Sequence, residues 1–127
     1  EDCRLLAEKI KNKNKNFYNI INSFAKDRKV NTDAIAKMAV ENYIEMRDSV
    51  AKQNFIDSQK IANVLFDKFP NKFIPRYNMV SFTSIPYNQV YKRGEIQKRI
   101  ISKLDVNNID LDYAEKLINE KLSDIKC

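Results

Sequence analysis

Residues 31–50 read NTDAIAKMAVENYIEMRDSV, and the pattern of this stretch decides the fold. Asn31 or Thr32 suits a helix N-cap, and Asp33 places a carboxylate in the first turn, where the helix dipole favours it. The spacing predicts a helix running to about Val50. Its apolar positions Ile35, Ala39, Tyr43, Met46 and Val50 fall within a sector of roughly 80° at 100° per residue, a face made for burial. Asn42 lies at the edge of that face.

Helical spacing continues on both sides. Leu5, Leu6 and Ile10 predict a helix from Asp2 to about Lys13, and Phe17, Ile20, Ile21 and Phe24 predict a short one from Phe17 to Lys26. Downstream, Phe55, Ile61, Leu65 and Phe69 belong to a helix from about Asn54 to Phe69 that Pro70 ends. Residues 73–87, FIPRYNMVSFTSIPY, carry two prolines and β-favouring side chains. They predict an irregular crossing segment with Met79 to Thr83 as its only short strand. Helix returns from about Asn88 to Leu104, and Asp110 caps a last helix reaching Ile125. The expected fold class is mostly α, one helical unit over residues 1–127, with a single irregular or short-strand crossing segment.

Composition narrows the function. The chain has 127 residues, 43% hydrophobic and 31% charged, so a packed core is within reach. Its one glycine, Gly94, cannot build a phosphate-cradling loop, which needs several. The absence of histidine removes Ser-His and Cys-His nucleophile pairs and the commonest metal ligand, and no metal site is expected. Cys3 and Cys127 lack metal or redox spacing; reduced thiols fit better than a clamp between the termini. No apolar run approaches the ~20 residues that cross a bilayer, so a soluble, cytoplasmic chain without membrane contact is expected.

The formal charge of +6 raises nucleic acid as a partner. The densest cluster, Lys9, Lys11, Lys13 and Lys15, is interleaved with asparagines, which suits a solvated helix end equally well. No nucleic-acid partner is expected. A free-standing basic module that binds an acidic protein or nucleic acid is the rival reading.

Individual side chains leave alternatives open. Asn42 needs a hydrogen-bond partner, which can be a neighbouring loop or a ligand. Met46 can fill a core or line a flat ring's pocket. Glu45 with Arg47 can form a surface pair or a carboxylate held beside a pocket. Tyr77, just after Pro75, can pack with its hydroxyl in water or present it to a polar ligand.

Two blocks, AVENYIEMRDSVA at 39–51 and FPNKFIPRYNMVSFTSIPYNQVYKRGEIQ at 69–97, resemble kynurenine 3-monooxygenases in order and separation. The opening Glu1-Asp2-Cys3 resembles the end of that family's flavin-contacting motif. The resemblance implies the carboxy-terminal portion of a flavoprotein that uses FAD, NADPH and oxygen to hydroxylate L-kynurenine to 3-hydroxykynurenine. It further implies that Asn42, Met46 and Tyr77 contact substrate and that Glu45 supports them from behind. No catalytic or cofactor-binding residue is expected in this segment. The amino-terminal FAD-binding portion would be its partner, and the isolated chain would be inactive and prone to self-association. Arg76 and Asn78 depart from the family's usual choices beside the tyrosine. The amphipathic tail after Leu104 differs from a membrane-anchoring helix and suits a bacterial-type enzyme.

Overall fold

The computed structural model describes residues 2–11, 16–48 and 51–125. Among the described residues six helices follow one another: α1 (Asp2–Lys11), α2 (Phe17–Asp48), α3 (Gln53–Lys68), α4 (Arg76–Phe82), α5 (Tyr87–Ile101) and α6 (Leu111–Lys121). The mostly α expectation holds. Among the described residues the only β pairing is an isolated bridge between Asp105 and Asn108.

Helix α5 is the hub, packed against α2, α3, α4 and α6. Among the described residues, two apolar clusters each take a buried side chain from it. One joins Ile61 and Leu65 of α3, Phe73, Ile100 of α5, and Ala114, Leu117 and Ile118 of α6. The other joins Met38 of α2, Met79 of α4 and Val90 of α5. Helix α1 packs back on the first half of α2, tied by Lys9 to Asp27 at 2.6 Å and by Arg28 to Asp2.

Three local expectations are corrected. The break foreseen before Asn31 does not form, and α2 is continuous for 32 residues. Nothing between Lys26 and Asn31 forbids a helix, and Thr32 turns its hydroxyl back onto the carbonyls of Arg28 and Lys29, at 3.2 and 3.0 Å. Asn31 does act as a cap, but for another helix: its side-chain oxygen accepts from the Asn88 N–H in the first turn of α5 at 3.1 Å. The segment expected as a strand from Met79 to Thr83 lies mostly in α4, with Thr83 as its C-cap. Pro75 starts that helix without losing a hydrogen bond, and burying Met79 completely outweighs the β preference of its neighbours.

The third correction concerns the buried face of α2. Met38 is buried and Ile35, Glu41 and Glu45 are half-buried, whereas Ala39 is exposed and Tyr43 and Met46 are 62% and 67% exposed. The face is rotated by roughly a quarter turn from the apolar stripe because charged side chains turn inward and find partners. Val50 lies outside the described residues.

The remaining helices match closely. Phe69 ends α3 ahead of Pro70, and Asp110 caps α6 by accepting from the Tyr113 N–H at 2.9 Å. The last helix stops at Lys121, earlier than the expected Ile125, and the chain continues extended. Removing the cap with Asp110→Ala is expected to cost about 1 kcal/mol of unfolding free energy in a urea titration. Cys3 is free and exposed, and Cys127, like Lys13 and Lys15, lies outside the described residues. No described helix is long and apolar enough to cross a membrane.

Candidate functional site

Helices α2, α3 and α5 and the turn into α4 enclose a cleft of about 380 Å³. Helix α2 supplies Asn42, Glu45 and Met46; α3 supplies Phe55, Ser58, Gln59 and Ala62. Phe73, Pro75, Arg76 and Tyr77 enter from the crossing segment, and Gly94, Gln97, Lys98 and Ile101 from α5. All four residues singled out from the sequence, Asn42, Glu45, Met46 and Tyr77, therefore share one concavity, although Tyr77 lies 31 positions beyond Met46.

Helical spacing explains the α2 contribution, since Asn42 and Met46 stand one turn apart. The Asn42 amide donates to the Met46 sulfur at 3.6 Å, a weak contact and its only side-chain partner among the described residues. Tyr77 is 72% exposed and lines the cleft. Gln97, 4% exposed, is held in place by donating to the Ile74 carbonyl at 2.8 Å.

One flank of the cleft is a charge network. Arg76 donates to Glu41 at 2.5 Å and its other terminal nitrogen stands 3.8 Å from Glu45. Lys98 reaches Glu41 at 3.7 Å and Glu45 at 3.5 Å, and Tyr91 donates to Glu41 at 3.4 Å. Lys37 lies over the Tyr91 ring, 4.6 Å from its centre. Glu45 is thus held beside the cleft by cations, but by Arg76 and Lys98. The partner weighed from sequence, Arg47, is paired with Asp48 instead, at 2.6 Å.

Burial opposes ionisation of Glu41, yet the hydrogen bond from Arg76 and the nearby Lys98 outweigh it and hold the carboxyl below its ordinary 4.5. The folded state therefore binds this proton less readily than the unfolded chain. The stability it adds is complete above the ordinary value and is lost as pH falls through the lower folded one. Urea titrations from pH 6 down to 3 are expected to show this acid-side loss, and Glu41→Gln is expected to flatten that part of the profile.

Glu41, Gly94 and Lys98 are not legible as site residues, and Arg76 is legible only as a departure beside Tyr77. The pairing of Arg76 with Glu41 spans 35 positions, and no local pattern encodes it. A lone glycine in a helix was the one available signal.

No family profile matches the chain. Individual relatives do, and they are oxygenases: it is 36% identical over 97% of its length to a kynurenine 3-monooxygenase of Myxococcus xanthus. It is 38% identical over 87% to that of Dictyostelium discoideum, and 43% identical over 82% to that of Cytophaga hutchinsonii. The chain belongs to the kynurenine 3-monooxygenase family, and it spans about a quarter of each of these relatives, 27%, 25% and 23%.

Proposed function

We propose that this chain is the carboxy-terminal, substrate-side part of an FAD- and NADPH-dependent monooxygenase that converts L-kynurenine to 3-hydroxykynurenine. The observation that carries the reading is the convergence of Asn42, Met46 and Tyr77 on one cleft. Asn42 offers both a donor and an acceptor to the amino-acid end of the substrate, and its present partner is only a thioether. Met46 offers a polarisable surface to a flat ring, and Tyr77 a hydroxyl on an apolar wall. Glu45, fixed by Arg76 and Lys98, keeps the flank of the cleft in place from behind.

In this reading the pyrophosphate of FAD is cradled elsewhere, because the sole glycine sits inside α5 and no described residue has a positive φ, so the described residues form no glycine-rich loop for it. Flavin chemistry, in which reduced flavin activates oxygen for transfer to the ring, is assigned to the rest of the protein. What this chain does is bind, orient and shield the substrate.

The open side of α2, with Tyr43 and Met46 more than half exposed, is where the amino-terminal FAD-binding portion packs in this reading. The isolated chain is then inactive, cytoplasmic and inclined to self-associate. Mixing or fusing it with that portion is expected to yield kynurenine-dependent NADPH oxidation with 3-hydroxykynurenine as product, and the chain alone none. Turnover by the chain alone, or a fused protein that ignores kynurenine, would overturn the proposal.

A further inference from the structure

A glycine inside a helix weakens folding roughly fivefold relative to alanine, so it persists where something requires it. Gly94 is the only glycine in the chain, it lies in the interior of α5, it is buried, and its φ is not positive. Conformational freedom is therefore not its use. Space is: a Cβ at position 94 would stand 2.9 Å from Arg76 Cδ and 3.5 Å from Arg76 Cγ. The stem of Arg76 lies across the bare backbone of α5 and reaches Glu41 on α2.

Arg76 is also the first residue of α4, a helix whose N-terminus has no side-chain cap, and Tyr77 follows it directly. Its side chain is only 16% exposed. The strap thus links the start of the helix carrying Tyr77 to the helix carrying Asn42, and both Arg76 and Gly94 line the cleft between them.

We propose that Arg76 is a positioning residue: seated on Gly94 and tied to Glu41, it sets the separation of Tyr77 and Asn42 and so the fit of an aromatic amino acid between them. This rests on the substrate-cleft reading given above. A methyl at position 94 would press on the Arg76 stem and force it to shift.

The test is a cycle in the full-length flavoprotein: Arg76→Met, Gly94→Ala and the double variant, with Tyr77→Phe and Asn42→Leu as references. Each single change is expected to raise KM for L-kynurenine about threefold to tenfold while lowering kcat less. The double variant is expected to be no worse than Arg76→Met, because a methionine no longer tied to Glu41 can swing its flexible stem off the new methyl. Arg76→Lys should recover part of the loss. A purely structural effect would lower the active fraction, and with it kcat, leaving KM of the folded fraction unmoved. Unchanged KM in both single variants, or effects that multiply in the double, would overturn the strap while a raised KM in the references left the cleft reading standing. References without effect would overturn both.

Discussion

Asn42→Leu in the full-length flavoprotein is expected to raise KM for L-kynurenine by roughly tenfold to a hundredfold. A hydrogen bond to a charged group is worth about 1.5–3 kcal/mol, and each 1.4 kcal/mol counts about tenfold. Asn42 suits the experiment because its amide is exposed and donates only to the Met46 sulfur. Leucine keeps the branching at Cγ, its extra bulk meets solvent at this exposed position, and it removes a contact that contributes little to the fold. Unfolding free energy should then stay within about 0.5 kcal/mol, so that a kinetic change reports on binding. An unaltered KM would take Asn42 out of the site.

The largest stability effect is expected at Phe73. Its ring is 1% exposed, belongs to the cluster shared by α3, α5 and α6, and forms part of the cleft lining. Phe73→Ala should cost about 3–5 kcal/mol, much of the ~5–15 kcal/mol that holds a typical domain folded. Urea denaturation would show it as a large drop in midpoint. A loss below about 1 kcal/mol would mean that this cluster does not carry the fold. Surface replacements such as Lys60→Ala provide the contrast, since Lys60 is only loosely paired with Asp57, at 3.9 Å.

The parts of the fold written in local chemistry were legible. Pro70 and Asp110 mark a helix end and a helix start, and Ile61 and Leu65 are buried where the helical spacing of α3 requires burial. Two features resisted reading because they depend on distant residues. The face of α2 was misjudged since Glu41 and Glu45 turn inward, which is tolerable only with Arg76 and Lys98 opposite them. Met79 to Thr83, within a crossing segment read as irregular, suggests a short strand, while the burial of Met79 against Met38 and Val90 decides for a helix.

The site was legible in a different way. Spacing left Asn42, Met46 and Tyr77 ambiguous, and only the resemblance carried by the blocks at 39–51 and 69–97 joined them. Their common cleft is a fact of the fold. Gly94 shows the limit from the other side: its rarity argued against phosphate loops, but its use became visible only with the Arg76 stem lying across it.

A crystal structure of the full-length flavoprotein soaked with L-kynurenine tests the account most directly. The substrate should lie in the cleft between α2 and α4, with its amino-acid end in hydrogen-bond range of the Asn42 amide and its ring against Met46 and Tyr77. Kynurenine bound elsewhere, with this cleft filled by water or by another part of the protein, would contradict it.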